Sequence, residues 1–264
     1  MMKKVSLLFC AVVFLFVSPL ASRAEGAEDG FKIDARIALN GYQTVVEQEL
    51  EWSLICLRTL AATDEVSSGD WERMKGLLAK LGEGNPTYAA IWFARPDGSY
   101  FTVEKGATGQ NIKDRAYFPG LMGDNDVAGD LVVSKSTGKK SVIVAVPVKT
   151  NGQIIGALGV SVSAEQLARF VDDKMRFPKD VVFYGLDAKG QTALHRETEL
   201  MFAFPSGMGS PSLRSAVTTM LSKPEGVVRY SFRGKQKIAV FQASKKIGWV
   251  FVVGVAVSDV PRSR

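Results

Sequence analysis

The sequence predicts an α+β fold in which a long N-terminal helix packs on two units built around antiparallel sheets. Residues 31–62 contain no proline and a single glycine, and apolar residues recur there at helical spacing. From Ala90 onward, short segments typical of β-strands alternate with turn sequences, which indicates hairpins. One order of hairpin, polar loop, short helix and long strands occurs twice, ending in GVSVSAE (159–165) and GVAVSDV (254–260). This recurrence predicts two copies of one α/β unit.

The N-terminus has the features of an export signal. Lys3 and Lys4 precede an apolar run from Val5 to Leu20, and the small residues Ser22 and Ala24 suit a signal peptidase. We expect cleavage after Ala24 and a periplasmic location. An uncleaved anchor is the alternative, although the run of about 16 residues is shorter than the ~20 that a span requires.

The charge of the chain argues against nucleic acid as a partner. The formal charge is +6, but residues 1–24 contain three of the 33 basic residues and no acidic residue, so 30 basic residues against 27 acidic ones leave +3. No dense run of Lys and Arg remains. Cys56 is the only cysteine outside the leader, so no internal disulfide is expected. Its apolar neighbours predict a buried thiol.

Helix signals are local and specific. The long helix over 31–62 carries an apolar set of Ile37, Val45, Leu50, Leu54, Leu57 and Leu60. A second helix is predicted over 70–81, with Gly82 as its end, and a third over 163–176, where Ser163 and Gln166 have capping-box spacing. A fourth begins at Ser210–Pro211.

Four turns predict the hairpins, and they lie at Pro96–Gly98, Asn151–Gly152, Lys189–Gly190 and Arg233–Gly234. The apolar stretch Ile247–Val257 is too short to cross a membrane and is interpreted as a buried strand. The predicted organisation is a signal peptide (1–24), a helical stalk (25–85), a first unit (86–177) and a second unit (178–264). Because the chain stops at Arg264, we expect no appended kinase or cyclase.

Together these features resemble the double Cache sensor domain, a tandem of PAS-like units found outside the cytoplasm in bacterial receptors. The segments that carry the resemblance are DGSYF (97–101), DRAYF (114–118), SKSTGKKSVIVAVPV (134–148), GQIIGALGVSVSAEQL (152–167) and IGWVFVVGV (247–255). The resemblance covers essentially the whole chain after the leader. It implies that the first, membrane-distal unit holds a small ligand, such as an amino acid, a carboxylate, an amine or a purine.

The amino-acid-binding branch of this family begins its site with an Arg-x-aromatic-aromatic motif, which Arg115, Tyr117 and Phe118 match. The resemblance implies that the arginine holds a ligand carboxylate. That branch also uses a tyrosine and two aspartates on the following strands, where this chain has Val132, Ser134 and Ser161. The groups that would hold an ammonium are therefore missing, unless Asp114, Asp124 or Asp130 substitutes.

An arginine with hydroxyl groups around it favours a simple organic acid over an amino acid, because a buried ammonium requires an anionic partner. Ser136 is one further hydroxyl that could take part. The predicted ligand-binding residues are Arg115, Tyr117, Phe118, Trp92, Tyr100, Asp130, Ser134, Thr137 and Ser161.

Structural interpretations compete with these roles. Arg115 could form an internal ion pair with Asp114 or Asp130, and Tyr117 and Phe118 could belong to the core. Strand alternation does not tell whether Trp92 and Tyr100 face a pocket or the long helix. The run 134–140 is either a plain loop before a strand or a lid that carries Lys135 or Lys139.

Catalysis, metals and cofactors are not expected. His195 is the only histidine and is interpreted as a polar residue at a strand end, so no metal site is predicted. GATGQN (106–111) lacks the strand-to-helix context of a phosphate loop, and no nucleophile motif occurs. The chain is not expected to be an enzyme.

The function predicted from the sequence is that of an exported sensor module that binds a small molecule, with a carboxylate favoured. A separate membrane receptor, kinase or transporter would read its state. The alternatives are an interaction module without a small ligand, an amino-acid- or amine-binding Cache protein, and the product of a truncated receptor gene.

Overall fold

The computed structural model describes residues 19–257, with side chains from Asp34 onward. The chain divides into two compact units, residues 1–34 and 35–264, and the first is described only as helical backbone from Pro19. The helices are α1 (Pro19–Ala61), α2 (Asp64–Ser67), α3 (Trp71–Glu83), α4 (Phe118–Met122), α5 (Ala164–Met175) and α6 (Pro211–Ser222). Most of the predicted leader, residues 1–24, lies outside the described residues. The long helix begins at Pro19, earlier than the predicted start at residue 31.

The first sheet has six strands, all antiparallel to their neighbours, in the order β3-β2-β1-β6-β5-β4. Their bounds are β1 (Tyr88–Ala94), β2 (Ser99–Thr102), β3 (Gly106–Asn111), β4 (Val127–Val133), β5 (Lys140–Thr150) and β6 (Gln153–Ser163). The predicted turns at Pro96–Gly98 and Asn151–Gly152 join β1 to β2 and β5 to β6. Asn151 and Gly152 both have positive φ, as a two-residue hairpin turn requires.

The second sheet has five antiparallel strands in the order β8-β7-β11-β10-β9. Their bounds are β7 (Val181–Leu186), β8 (Thr192–His195), β9 (Glu225–Phe232), β10 (Lys235–Ala243) and β11 (Val250–Ala256). The order β2-β1-β6-β5-β4 of the first sheet corresponds to the order β8-β7-β11-β10-β9 of the second. The prediction of two α/β units with antiparallel sheets and a long helix is therefore confirmed.

One stripe of α1 is buried, and the predicted apolar set identifies it only in part. The buried residues follow each other at intervals of three and four, and they are Ala35, Leu39, Tyr42, Val46, Leu50, Ser53 and Leu57. Ile37 lies on the opposite side with 68 % of its surface exposed. The prediction of a buried Cys56 thiol is also wrong, because Cys56 is half-buried and its neighbour Trp52 is 60 % exposed.

Helix starts follow the predicted caps. The hydroxyl of Ser163 accepts a hydrogen bond from the backbone N–H of Gln166, and that of Ser210 accepts one from Leu213. The Asp70 carboxylate accepts from the backbone N–H of Glu72. Each cap provides an acceptor for a first-turn N–H that has no partner within the helix.

The two sheets meet where β4 contacts the segment before β11. The indole Nε1 of Trp249 donates a buried hydrogen bond of 2.9 Å to the carbonyl oxygen of Gly129. Gly129 has φ +104°, and a Cβ atom there would lie 3.0 Å from the carbonyl oxygen of Ile247. Glycine is therefore required at position 129 for this close approach of the two sheets.

Candidate functional site

A small, partly open cavity lies between one face of the first sheet and the segment 112–117 before α4. The first sheet lies between the cavity and α3. Trp92 of β1 lines the cavity on one face, whereas Phe101 of β2 stacks on Trp71 of α3 on the other, with ring centroids 5.2 Å apart. The lining residues are Trp92, Tyr100, Ile112, Arg115, Tyr117, Val132, Ser134, Lys135, Ser136, Ile143 and Ser161. The cavity volume is about 20 Å³, enough for one water molecule.

The structure brings together six of the nine residues that the sequence predicts as ligand-binding, namely Trp92, Tyr100, Arg115, Tyr117, Ser134 and Ser161. Phe118 does not line the cavity but packs in the core beneath it as the first residue of α4. Thr137 lies in the turn between β4 and β5, where its backbone N–H donates to the Ser134 hydroxyl at 3.2 Å. Asp130 borders a different cleft.

Arg115 connects the loop to the neighbouring strand. Its Nη2 atom donates to the carbonyl oxygen of Val133 at 2.7 Å. The alternative of an ion pair between Arg115 and Asp114 or Asp130 is not what the structure shows. Asp114 instead pairs with Lys135, whose Nζ is 2.7 Å from Oδ1. Arg115 as a whole residue is half-buried and lines the cavity, while its bond to Val133 is exposed.

The turn 134–139 contributes polar groups to the cavity mouth. Lys135 donates from Nζ to the carbonyl oxygen of Asn111 and to the Asp114 carboxylate. The hydrogen bond to the carboxylate is the main cause that lowers the pKa of Asp114. The hydroxyls of Ser134 and Ser136 lie 3.2 Å apart. Of the two lysines considered for a lid, Lys135 lines the cavity, whereas Lys139 does not.

No carboxylate belongs to the described residues that line the cavity. Val132, Ser134 and Ser161, which stand where the amino-acid-binding branch has its tyrosine and aspartates, all reach the lining. Asp124 is held elsewhere by Lys149, with Nζ and Oδ2 2.5 Å apart. Burial raises the pKa of Tyr117, so its hydroxyl stays protonated at neutral pH.

A wider cleft of about 410 Å³ lies on the other side of the Arg115 loop, between β4 and the second sheet. Asp130 borders it together with Asp187 and Lys189. Burial raises the pKa of the Asp130 carboxyl, and Asp187 adds to that effect while Lys189 opposes it. Arg115, Tyr117 and Val132 border both this cleft and the cavity, whereas Asp130 borders only the cleft.

Sequence reasoning did not assign Ile112 or Ile143 to the site. Ile143 belongs to a run of six consecutive buried residues in β5. Such a run carries no alternation that would tell which side faces a ligand. Ile112 follows an exposed edge strand, and only the fold shows that it closes the cavity.

Within residues 19–257, no cluster of three or more His, Cys, Asp or Glu side chains is arranged for metal binding. No α-helix in that same range combines the length and the apolar character that a membrane crossing demands.

Two antiparallel sheets of matching strand order, a long helix and a cavity on the first sheet define a tandem PAS-like fold. The Cache domain family model matches residues 33–263. The chain therefore belongs to the Cache family, whose members are extracytoplasmic sensor domains. No curated protein sequence matches the chain.

Solved structures with the same fold include several ligand-binding domains of chemoreceptors. That of Campylobacter jejuni Tlp3 in complex with 4-methylisoleucine has a TM-score of 0.67 at 13% identity, covering 89% of this chain and 95% of its own. That of the Pseudomonas aeruginosa amino acid chemoreceptor PctB with L-Arg has a TM-score of 0.68 at 15% identity, with coverages of 91% and 99%. That of Pseudomonas fluorescens CtaA with L-isoleucine has a TM-score of 0.65 at 15% identity, with coverages of 90% and 97%.

Proposed function

We propose that this protein is a ligand-binding sensor module that takes a small organic acid into the cavity of the first sheet. One observation carries the proposal. The polar groups of the lining are a guanidinium, an ammonium and several hydroxyls, with no carboxylate among the described lining residues. A site of this composition attracts an anion and offers nothing to a second, cationic group of the ligand.

Arg115 is the residue we propose to hold the ligand carboxylate, because a guanidinium offers two parallel N–H donors to both oxygens of a carboxylate. Lys135 would add a second positive charge at the cavity mouth, and the hydroxyls of Ser134 and Ser161 would donate to remaining acceptors. An α-ammonium group buried in the same place would lack an anionic partner, at a cost of several kcal/mol.

Ligand entry requires the Arg115 loop to move, because a cavity of about 20 Å³ is smaller than any organic acid. The loop is held by the Arg115 to Val133 bond and by the Lys135 to Asp114 pair. The Asp114 side chain is 65% exposed, so that pair is weak. We propose that an open loop is a minor state and that the ligand stabilises a closed form in which Arg115 bonds the ligand.

The route that we propose for the signal starts at β4. This strand carries both Val133, the partner of Arg115, and Gly129, the partner of Trp249. Trp249 packs against Phe251 in the second sheet, and Phe251 contacts Tyr42 of α1 in an edge-on arrangement with centroids 5.0 Å apart. A shift of β4 would thereby reach the long helix and a partner bound to it.

We further propose that residues 86–177 are the membrane-distal unit, that residues 178–264 are the proximal unit, and that residues 25–85 form the stalk. The chain would be exported with cleavage after Ala24 and would report to a separate membrane receptor, kinase or transporter. N-terminal sequencing of the protein from the periplasmic fraction tests the cleavage, and an N-terminus at Met1 contradicts it.

Binding of an amino acid or an amine is the second candidate function. It is favoured by the chemoreceptor domains of similar fold, whose structures contain 4-methylisoleucine, L-Arg and L-isoleucine. For this chain it would require an acid near the cavity, and Asp114 is the nearest candidate if Lys135 releases it. If the protein is instead an interaction module without a small ligand, none of these compounds should bind.

Calorimetric titration of the purified protein against a panel of mono- and dicarboxylates and a panel of amino acids and amines separates these functions. We expect binding within the first panel, and binding by amino acids or amines alone would refute the proposal. Arg115→Ala should abolish the ligand-induced rise in melting temperature. The control is Arg169→Ala, which removes an exposed arginine of α5 paired only with Glu165.

A further inference from the structure

The second sheet carries a cavity at the place that corresponds to the candidate site of the first. The first cavity is lined from β1, β2 and β4, with one residue each from β5 and β6, and is closed by the segment 112–117 that follows β3. The second is lined from β7, β8 and β9, which hold the same positions in the strand order, and is closed by residues 200–213. Its volume is about 40 Å³, against about 20 Å³ for the first.

Buried polar side chains face this second cavity. His195 of β8 is 8 % exposed and stacks on Tyr184 of β7, with ring centroids 5.7 Å apart and planes 18° apart. The hydroxyls of Tyr184 and Tyr230 lie 3.2 Å from each other, and the buried Thr192 completes the polar set. These residues belong to three strands of one sheet, β8 and β7 at one edge and β9 at the other, so the backbone hydrogen bonds of the sheet fix their positions.

The proton positions of these groups follow from their partners. The backbone N–H of Glu197 donates to Nδ1 of His195 at 2.8 Å, so a neutral imidazole carries its proton on Nε2. Burial lowers the pKa of His195 to about 4, so the ring is neutral at physiological pH. The Tyr184 hydroxyl can donate to Sδ of Met220 at 3.8 Å, and Tyr230 can then donate to Tyr184. This arrangement leaves a hydroxyl oxygen of Tyr230 as an acceptor.

We infer that the second unit contains its own binding site, which takes a small uncharged molecule with a flat apolar body and one or two polar atoms. The flat body suits the walls formed by Met208, Leu213 and Phe232, and the imidazole and hydroxyls match the polar atoms. A cavity of about 40 Å³ is smaller than such a molecule, so the closing segment 200–213 has to move for it to enter. No lining residue among those described carries a charge at neutral pH. A charged ligand would lose its hydration there without an opposite charge.

This inference goes beyond the function proposed for the first sheet and gives His195 a role that its position at a strand end did not suggest. The chemistry of the two cavities is complementary. One presents cationic groups and hydroxyls and would select an anion, while the other presents neutral groups and would exclude one. The protein would therefore respond to two different classes of molecule, one bound in the cavity of each sheet.

The test uses pyrazole and phenol as uncharged probes and benzoate as an aromatic anion for comparison. The purified protein is labelled at methionine methyl groups, and the Met208 resonance is assigned with Met208→Leu. We expect a saturable shift of this resonance with pyrazole or phenol and none with benzoate. The absence of a saturable shift with both uncharged probes would overturn the inference.

Variants locate the site. Leu213→Phe fills the cavity and should lower probe affinity at least about tenfold, whereas Arg115→Ala should leave it unchanged and so separates this site from the first cavity. If Leu213→Phe does not fold, Tyr230→Phe removes only one hydroxyl and should weaken binding of pyrazole severalfold. If Leu213→Phe or Tyr230→Phe folds and binds the probe with unchanged affinity, the probe is bound elsewhere and the site is refuted.

Discussion

Trp249→Phe tests the contact that joins the two sheets. The indole N–H donates to the Gly129 carbonyl at 2.9 Å in a buried position, and Trp249 itself is 1 % exposed. Phenylalanine keeps an aromatic ring but removes the donor, so the carbonyl loses its partner at a cost of about 1–3 kcal/mol. The smaller ring also leaves a void. We expect a total loss of about 2 kcal/mol or more.

For a chain of this size, about 2 kcal/mol corresponds to a fall of about 4–8 °C in the melting temperature. Chemical denaturation followed by circular dichroism and a thermal melt would both measure the change. The matched control is Trp52→Phe, because Trp52 is 60 % exposed on α1 and its replacement should change stability by less than about 0.5 kcal/mol. If the two variants lose equal stability, the Trp249 contact does not hold the sheets together as argued.

Two further perturbations have defined outcomes. Gly129→Ala should destabilise the protein more than Gly152→Ala in urea denaturation. Both positions have positive φ, but only a Cβ at Gly129 would meet backbone, 3.0 Å from the carbonyl oxygen of Ile247. Equal losses of stability in the two variants would contradict this. His195 has a folded pKa of about 4 against an ordinary value of 6.5, so the unfolded chain binds its proton more tightly. The neutral imidazole therefore contributes up to about 3 kcal/mol to the free energy of unfolding. This contribution is complete above pH 6.5 and is lost as the pH falls towards 4. The free energy of unfolding should fall less between pH 7 and pH 4.5 in His195→Gln than in the unsubstituted chain. An identical fall in both proteins would exclude the histidine as its source.

Hairpins and helix caps were predictable because they are local. The turn at Asn151–Gly152 needs two residues that tolerate positive φ, and the caps at Ser163 and Ser210 need one side-chain acceptor near a helix start. The strands β3 and β4 were not assigned from the sequence. β3 is an edge strand whose residues are almost all exposed, so it carries no hydrophobic alternation.

The sequence predicted the chemical character of the candidate site, but only some of the residues that line it. Arg115 and Tyr117 belong to a short motif, and the comparison of that motif with a known family already indicated a cavity residue at each position. Phe118 is adjacent to them in sequence, but it begins α4 and packs into the core instead. Asp130 lies two residues before Val132 on β4 and borders the same cleft towards the second sheet, but only Val132 also reaches the cavity.

The sequence by itself determined most of the elements of this protein, their repetition and the chemical character of the Arg115 loop, because each depends on residues close together in the chain. Only the tertiary structure decided which face of β1 meets the cavity, where the two sheets touch, and that His195 lies beside Tyr184 and Tyr230 in a second cavity. These features arise from strands far apart in sequence. Their burial removes water from groups that the sequence shows only as isolated polar residues, and the geometry of the sheets decides which of those groups meet.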